Sequence, residues 1–495
     1  MTRAGYFPRL LSWLAVVVGL LISLSLSLQV EQRASSSSSS SWPNGPLVTS
    51  GRWITDVTGG KITYAGINWP GSLETMIPEG LQYQSIETIV SKVKEEGMNV
   101  IRLTYATEMV DQYYEKGEEK DVTIQKAFID ALGEEDGRAV YDMVVRNNPS
   151  FGPETTRLQV YDAIAAECAR QEIYLHLDNH VSKAIWCCTP LDGNSWWGDT
   201  YFDADNWKRG LSFMAERGRK WPALVSMSLR NELRPPLTNI LVSGTYSWEV
   251  WYKYMRQGAD AVHSANPDVL IFLSGLDTDS DLKPVVQGST LEPGTAKFNR
   301  DDFGGYGDDK LVLELHAYDN IIATPNVPCS DITERLFDAG FETLSKNAVN
   351  TFPLVMTEFG LPQDADAANN TYITCIMDYF SSQRVGWTIW ALSGSYYIRD
   401  GTKDADESWG LLSRNWSAWR SPGFISDVLR PAIKASKAPI SDDDDDDEPS
   451  DGNRGSHTGG SDLGDEDDDS SASILAQSQF VTLVVVAGVG LMSYY

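Results

Sequence analysis

The stretch LVSMSLRNE, residues 224–232, places a largely apolar run directly before Asn231 and Glu232. A second stretch of the same kind, LVMTE, spans residues 354–358 and ends at Glu358. Short apolar runs such as these are typical of strands buried in a parallel sheet. A carboxylate at the end of a buried strand is costly unless it serves a function. The two stretches therefore indicate both a buried parallel sheet and a functional site at the ends of its strands.

Similar runs recur along the chain and predict eight strands. They lie at residues 62–69, 99–104, 173–179, 224–231, 270–274, 310–316, 354–357 and 386–390. Most are separated by amphipathic patterns typical of helices, at residues 85–96, 157–171, 247–265, 332–347 and 368–383. Eight strands that alternate with helices predict an α/β protein with a (β/α)8 TIM barrel fold.

Long insertions are predicted after several of these strands, in the loops that join a strand to its following helix. They cover residues 105–156, 181–206, 275–309 and 391–419. All of them lie on the face where barrel enzymes hold their active sites. A doubly wound sheet would also alternate strands and helices, but it requires a glycine-rich phosphate turn after the first strand. The sequence INWPG at residues 67–71 is not such a turn.

Composition limits the possible partners. The chain has 495 residues, of which 42% are hydrophobic, and this apolar content excludes bulk disorder. Its formal net charge is −29. Residues 441–495 carry −13 and residues 1–34 carry +2, so the body carries −18. We expect no nucleic-acid partner, because this field repels a polyanion and no basic stripe offsets it.

The N-terminal residues are predicted to be a targeting segment. Residues 1–34 combine Arg3 and Arg9 with a following apolar run, which indicates a secretory signal peptide or an uncleaved signal anchor. Residues 35–42 form a serine-rich leader. The folded catalytic domain is predicted to span residues 43–439.

The C-terminal residues are predicted to be an anchor. Residues 440–473 are acidic and without aromatics, which predicts a disordered stalk. Small residues then lead into the apolar tail at residues 474–495, the pattern of a GPI-anchor signal, with a plain tail anchor as the alternative. The predicted localisation is extracellular, at the cell surface, with the membrane partner reached through a lipid anchor to the plasma membrane or cell wall.

The cysteines fit a secreted chain. Five are present, at Cys168, Cys187, Cys188, Cys329 and Cys375. They predict one or two disulfides and an odd thiol, with the pairing left open. We do not expect the adjacent residues Cys187 and Cys188 to bridge to each other. Sequons at Asn369 and Asn415 predict glycosylation.

Glu232 and Glu358 are the candidate catalytic pair. They end the fourth and seventh predicted strands, three strands apart, so they are expected to face each other across the barrel mouth. Opposed carboxylates are what glycosidic cleavage needs, one as proton donor to the leaving oxygen and one as nucleophile or base at the anomeric carbon. The alternative is that each glutamate is a salt-bridged residue of the rim.

Four motifs make a family resemblance specific: SLRNE at 228–232, LHAY at 315–318, TEFG at 357–360 and WTIW at 387–390. Together they resemble glycoside hydrolase family 5, the cellulase family within the clan of retaining barrel hydrolases, over residues 53–431. The resemblance implies that Glu232 is the acid/base, that Glu358 is the nucleophile and that Asn231 donates a hydrogen bond to the sugar 2-hydroxyl. Leu233 stands where many members have proline.

The same resemblance implies that five further residues contact the substrate or the nucleophile. They are Arg102, His180, His316, Tyr318 and the aromatic floor Trp390. Arg102 and Tyr318 would favour the charged form of Glu358. The surroundings of Glu232 should raise its pKa so that it holds a proton near neutral pH. This chemistry requires no metal and no cofactor.

The sequence HLDNH at residues 176–180 permits a metal site, because His176, Asp178 and His180 alternate on one strand face. We favour a buried polar layer with His180 at the rim, since no fourth ligand is evident. The chain also has 16 tryptophans, many in predicted rim loops: Trp69, Trp186, Trp196, Trp197, Trp248, Trp390, Trp409, Trp416 and Trp419. Aromatic faces stack on pyranose rings, which favours a polysaccharide substrate.

The predicted function is that of a monomeric, retaining, endo-acting hydrolase of a β-linked polysaccharide, with β-1,4-glucan as the preferred substrate. Two alternatives stay open. The first is the same chemistry on β-mannan, on β-1,3- or β-1,6-glucan, or on a glycolipid. The second is a carbohydrate-binding protein of the cell wall on a barrel without activity.

Overall fold

The computed structural model describes residues 42–439 except 116, 118 and 319–326. Eight parallel strands close into a barrel, labelled β1 to β8 in chain order. They are Ala65–Trp69 (β1), Val100–Ala106 (β2), Tyr174–Val181 (β3), Leu224–Ser228 (β4), Leu270–Ser274 (β5), Leu311–Tyr318 (β6), Leu354–Gly360 (β7) and Gly386–Ile389 (β8). The predicted (β/α)8 barrel is confirmed. The predicted targeting, stalk and anchor segments lie outside the described residues.

Helices between the strands surround the barrel. The main ones are Ile86–Glu95, Arg157–Arg170, Ala204–Gly218, Trp248–Ala265, Cys329–Ala339, Thr371–Gln383 and Arg430–Ser436. Polar residues cap several of them by accepting backbone N–H groups of the first turn, namely Ser85, Thr156, Asp203, Ser247 and Asn370. Each cap satisfies a donor that has no partner within its helix, so the sequence itself sets where these helices begin.

Further elements occupy the connections. The helices are Thr107–Tyr114, Ile124–Leu132, Glu134–Asn147, Ile240–Ser243, Lys283–Val286 and Pro422–Phe424, with a π-helix at Ile425–Leu429. The 3-10 helices are Arg300–Tyr306, Phe341–Leu344 and Ala367–Asn369. An antiparallel hairpin, Ser395–Arg399 with Thr402–Asp406, lies in the insertion after β8. Among the described residues, no helix is long and apolar enough to cross a membrane.

The N-terminal end of the barrel is filled by apolar side chains. A small antiparallel sheet of Val48–Ser50, Trp53–Thr55 and Lys61–Ile62 precedes β1. A buried cluster joins this segment to the barrel strands: Leu47, Ile54, Tyr64, Val100, Tyr174, Val225, Leu270, Phe272, Val312 and Val355. The barrel is therefore a packed core at this end, and polar side chains gather towards the other.

Several predicted boundaries differ from the structure, four of them in ways that matter for the site or the fold. The first predicted strand, 62–69, is divided between Lys61–Ile62 and β1. The helix predicted at 332–347 breaks at Gly340 into Cys329–Ala339 and a 3-10 turn. Strand β4 ends at Ser228, whereas β7 continues through Glu358 to Gly360. Glu232 therefore lies in a loop and Glu358 within a strand, so the two do not occupy equivalent positions.

A bulge in β7 explains the position of Glu358. The pairing of β7 with β6 shifts register between Met356 and Glu358. The carbonyl of Thr357 instead accepts hydrogen bonds from Asn68 Nδ2 at 2.9 Å and Thr388 Oγ1 at 2.5 Å. Bulges re-aim the side chains beside them, often next to active sites. A side chain from the neighbouring strand β8 and one from β1, the next strand along, thus satisfy the backbone group that the bulge releases.

The structure pairs four of the five cysteines. Cys329 is bonded to Cys375, and Cys187 is bonded to its neighbour Cys188, with their Cα atoms 3.1 Å apart. The expectation that the adjacent pair would not bridge to itself was wrong. The residues on either side of the pair are held by arginines, Trp186 by Arg399 and the carbonyl of Thr189 by Arg234. Cys168 is a buried free thiol.

Candidate active site

Glu358 lies at the mouth of the barrel with both carboxylate oxygens engaged. Arg102 Nη1 from β2 is 2.6 Å from its Oε1, and the Tyr318 hydroxyl from β6 donates to its Oε2 at 2.8 Å. The side chain of Glu358 is only 5% exposed. Burial alone would lower the pKa of Arg102, but Asp178 and Glu358 outweigh burial and raise it. A permanent cation and a hydroxyl donor therefore stabilise the carboxylate form of Glu358.

Arg102 organises the residues around Glu358. Its guanidinium donates to Asn68 Oδ1 at 2.8 Å and to Asn231 Oδ1 at 2.8 Å, and Nη2 lies 3.1 Å from Asp178 Oδ1. Guanidinium offers donors only, so these bonds fix the amide oxygen of Asn231 towards Arg102. The amide nitrogen of Asn231 consequently points away from Arg102.

Glu232 follows β4 in a constrained turn. Its φ is +46°, a left-handed conformation that is uncommon for glutamate. Its backbone N–H donates to Asp279 Oδ2 at 2.9 Å, and its Oε1 lies 3.1 Å from His316 Nδ1. Burial raises the pKa of Glu232, and it lowers the pKa of His316 to about 3. Glu232 thus faces a neutral imidazole and retains a proton more readily than an exposed glutamate.

The two glutamates approach each other closely. One carboxylate oxygen of each, together with a ring nitrogen of His316, all lie within 4.8 Å of one another. Retaining glycosidases hold their carboxyl groups about 5–5.5 Å apart, whereas inverting enzymes leave about 6.5–9.5 Å for a water molecule. The nearest oxygens of Glu232 and Glu358 lie closer together than the gap that an inverting enzyme leaves, which favours the retaining geometry.

Aromatic side chains form a wall beside this pair. The indole of Trp390 stacks on His180 with ring centroids 5.6 Å apart, and His180 Nδ1 lies 2.7 Å from Asp178 Oδ2. Trp186 meets Trp390 edge to face at 6.5 Å. The structure therefore brings together all eight predicted site residues. Four of the predicted rim tryptophans are instead buried packing residues: Trp69, Trp196, Trp197 and Trp416.

A buried polar layer lies deeper in the barrel. The two ring nitrogens of His176 bond to Ser226 Oγ at 2.8 Å and Ser228 Oγ at 2.7 Å. Ser228 also donates to Glu314 Oε2 at 2.7 Å, and burial raises the pKa of Glu314 to about 7. Asp178, on the same strand as His176, is paired to Arg102. Residues 176–180 thus contribute to a buried polar layer, the alternative that we favoured over a metal site.

Sequence reasoning did not include three residues that complete the site. Asn68 at the end of β1 and Asp279 after β5 hold Arg102 and Glu232 in place, and Glu314 lies below them. Asn68 stands in the INWPG segment, and Asp279 stands in the polar run DTDS at residues 277–280 directly after a predicted strand. The position of Asp279 shortly after a predicted strand was an available signal, whereas Asn68 and Glu314 were polar residues within predicted strands.

Two groups of described residues bring metal-type ligand atoms within 4.8 Å of one another. The first is Glu232, His316 and Glu358, whose carboxylates already have protein partners. The second is His180 with Cys187 and Cys188, whose sulfurs are bonded to each other. Soft metals bind to thiolates, and two sulfurs bonded to each other supply no thiolate.

The comparisons with known proteins agree with this geometry. The family model for cellulase, glycosyl hydrolase family 5, matches residues 60–395. The chain belongs to glycosyl hydrolase family 5. This family 5 chain is 35% identical over 410 residues to a glycosyl hydrolase 5 family protein from Chamaecyparis obtusa, covering 80% of this chain and 67% of that protein. It is accordingly a glycoside hydrolase.

More distant similarities of this family 5 hydrolase are found in sequence and in solved structures. An endoglucanase from Paenibacillus polymyxa is 21% identical over 79% of this chain and 88% of that protein. The catalytic domain of the major Xanthomonas campestris endoglucanase superposes with a TM-score of 0.53 at 18% identity, over 79% of this chain and 99% of that one. A cellotetraose complex of a Pyrococcus horikoshii endocellulase superposes with a TM-score of 0.57 at 17% identity, over 79% of this chain and 98% of that one.

Proposed function

We propose that this family 5 hydrolase is a retaining, endo-acting β-glucanase that cleaves β-1,4-glucan by double displacement. Glu358 is the nucleophile and Glu232 is the acid/base. The observation that carries the proposal is the approach of the two carboxylates to within 4.8 Å, with different partners on each. Arg102 and Tyr318 stabilise a charged Glu358, whereas burial favours a protonated Glu232.

In the first step a carboxylate oxygen of Glu358 attacks the anomeric carbon and the glycosidic bond breaks. Glu232 gives its proton to the departing oxygen, so the leaving sugar departs as a neutral alcohol. A covalent glycosyl-enzyme ester remains on Glu358. The ester is uncharged, which leaves Arg102 balanced by its second carboxylate partner, Asp178, at 3.1 Å.

In the second step the ionised Glu232 takes a proton from water, and the water oxygen attacks the anomeric carbon. The ester bond breaks and Glu358 regains its charge, which Arg102 and Tyr318 stabilise again. Two inversions give overall retention. Glu232 ends protonated, so atoms and charge return to the starting state.

Substrate contacts follow from the same geometry. The amide nitrogen of Asn231, directed away from Arg102, is the proposed donor to the sugar 2-hydroxyl. Trp390, stacked on His180, provides a flat apolar face for the ring, and His316 and Tyr318 border the two carboxylates. The names of the Paenibacillus and Xanthomonas relatives support a glucan as the substrate and an endo mode.

Removal of either carboxylate tests the assignment. Glu358→Gln and Glu232→Gln should each lose most activity while thermal unfolding stays cooperative, because they change chemistry more than packing. With an activated aryl glycoside, azide should rescue Glu358→Ala to give the α-glycosyl azide and Glu232→Ala to give the β-glycosyl azide. Full activity in either Gln variant, or the same azide anomer from both Ala variants, would reject these roles.

A panel of linkage-defined oligosaccharides tests the substrate. Cleavage of internal bonds in β-1,4-gluco-oligosaccharides supports the proposal. If β-mannan, β-1,3- or β-1,6-glucan, or a glycolipid is cleaved preferentially, the proposed mechanism stands and the proposed substrate is wrong. Binding of glucan with no cleavage of any panel member would favour a binding protein instead.

We further propose that the enzyme acts as a monomer at the outer cell surface on a GPI anchor. The proposal rests on the sequences of residues 1–34 and 440–495, and two disulfides suit an oxidising compartment. Phosphatidylinositol-specific phospholipase should release the protein from membranes. Mass spectrometry that found the tail at residues 480–495 in the mature protein would contradict the anchor. Light scattering should give the mass of one chain, and the mass of a dimer would contradict the monomer.

A further inference from the structure

The loop after β3 carries a disulfide between consecutive residues beside the catalytic carboxylates. Cys187 and Cys188 are partly exposed, whereas His180 and Asn231 next to them are buried. One ring nitrogen of His180 and the two sulfurs lie within 4.8 Å of one another. The sulfurs therefore border the cleft directly.

The disulfide contacts the amide group of Asn231. Asn231 Nδ2 lies 3.5 Å from Cys188 Sγ and 3.8 Å from Cys187 Sγ, while its Oδ1 accepts from Arg102 at 2.8 Å. Sulfur is a weak acceptor, so these contacts orient the amide nitrogen more than they bind it. The amide is thus held between a guanidinium on its oxygen side and two sulfurs on its nitrogen side.

The same loop is fixed before and after the cysteines. Trp186 packs under the guanidinium of Arg399 at 3.6 Å. The carbonyl of Thr189 accepts from Arg234 Nε at 3.0 Å, and Arg234 Nη1 donates to the carbonyl of Glu232 at 2.6 Å. The disulfide therefore lies between the aromatic wall and the segment that carries Glu232, where a change in its size would move either neighbour.

We propose that the Cys187–Cys188 disulfide is a positioning element for Asn231 and forms one wall of the subsite for the sugar whose bond is cleaved. This inference rests on the proposed role of Asn231 as donor to the 2-hydroxyl. A dithiol reductant would break the S–S bond, supply two electrons and two protons to give two thiols, and become a disulfide itself. The freed sulfurs no longer share a bond, so they separate and crowd Asn231 and His180.

The second disulfide provides a matched control. Cys329–Cys375 joins the helices Cys329–Ala339 and Thr371–Gln383 on the outside of the barrel, with Cα atoms 5.4 Å apart. It is a longer cross-link of 46 residues, whereas the vicinal pair closes almost no chain. Loss of the vicinal disulfide should therefore affect the site more than the stability of the fold.

The experiment compares wild type, Cys187→Ala/Cys188→Ala and Cys329→Ser/Cys375→Ser before and after reduction by a dithiol. Each is assayed on an aryl β-glycoside and on its 2-deoxy counterpart, and alkylation with mass spectrometry establishes which cysteines are reduced. The ratio of kcat/KM between the two substrates measures how much the 2-hydroxyl contributes. An altered fold alone would lower both rates and leave this ratio unchanged.

We expect reduction of wild type to lower kcat/KM on the hydroxylated substrate about tenfold, the loss of one well-placed donor, and to reduce the substrate ratio, with recovery on reoxidation. Cys329→Ser/Cys375→Ser should respond in the same way. The vicinal double variant should start low and be insensitive to reductant. Unchanged activity or an unchanged ratio with Cys187 and Cys188 reduced overturns the inference. An Asn231→Ala variant that keeps the full ratio refutes instead the proposed role of Asn231, on which the inference depends.

Discussion

Asp279 offers a sharp test of how the acid/base residue is held. Its Oδ2 accepts the N–H of Glu232 at 2.9 Å, and its own carbonyl accepts the N–H of His316 at 2.8 Å. Three consecutive left-handed residues place it there, with φ of 51°, 58° and 60° at Asp277, Thr278 and Asp279. Such backbone strain persists only where surrounding contacts hold it, and it is frequent at active sites.

The two substitutions Asp279→Asn and Asp279→Ala separate charge from position. Burial, together with the nearby Glu314, raises the pKa of Asp279 well above its ordinary value, and the asparagine side chain is neutral and nearly the same size and shape as the aspartic acid that it replaces. Asp279→Asn should keep kcat/KM within about threefold, since its amide oxygen still accepts the same hydrogen bond. Asp279→Ala leaves the N–H of Glu232 unpaired, at a cost of about 2 kcal/mol or about 30-fold in rate.

The assay compares an unactivated oligosaccharide with a 2,4-dinitrophenyl glycoside, whose leaving group needs no proton. Asp279→Ala should lose kcat/KM mainly on the oligosaccharide, because kcat/KM reports the first step, in which only the oligosaccharide needs a proton from Glu232. Asp277→Asn, at an exposed position two residues away where asparagine tolerates the left-handed backbone, serves as the control. Equal losses on both substrates, or an asparagine variant as impaired as the alanine variant, would refute the reasoning.

Three further predictions follow from the contacts of the carboxylates. Tyr318→Phe removes the hydroxyl that donates to Glu358 at 2.8 Å and should lower kcat/KM by about 10- to 100-fold with the fold intact, as steady-state kinetics and thermal unfolding will show. Because burial raises the pKa of Glu232 and its protonated form is the active one, kcat/KM should fall as pH rises through that raised pKa; a rate that rises through the same range would contradict the assignment. For Glu314, burial raises the folded-state pKa from 4.5 to about 7, so its favourable contribution is complete below pH 4.5 and is lost as pH rises through 7. The unfolding temperature of Glu314→Gln relative to wild type should therefore increase between pH 5 and pH 8. If the difference between the two unfolding temperatures stays constant over this range, the raised pKa of Glu314 is contradicted.

The barrel and most of its site could be predicted from sequence because both depend on local patterns. Strand β5, residues 270–274, was predicted with its observed ends, since a short apolar run between the turn residues at 266–268 and Gly275 defines it. Glu232 and Glu358 were recognisable because each charge follows such a run. The alternation of strands and helices was enough to predict that both glutamates lie at the C-terminal face of the barrel.

What could not be predicted depends on contacts between distant segments. The bulge that brings Glu358 inside β7 exists because Asn68 and Thr388 satisfy the carbonyl of Thr357, and no local pattern encodes that pairing. The Cys187–Cys188 bond likewise depends on a loop held by Arg234 and Arg399. Asp279 is separated from Glu232 by 47 residues, so their hydrogen bond becomes visible only in three dimensions.

The most direct test of the central proposal is to trap the covalent intermediate. A 2-deoxy-2-fluoro β-cellobioside with a good leaving group should form a glycosyl-enzyme that hydrolyses slowly, because fluorine destabilises the positively charged transition states of both steps. Peptide mapping by mass spectrometry should then find one fluorocellobiosyl group on Glu358, and Glu358→Gln should take up none. A label on another carboxylate, or turnover of the reagent to a product of inverted α-configuration, would contradict Glu358 as the nucleophile and the double-displacement mechanism with it.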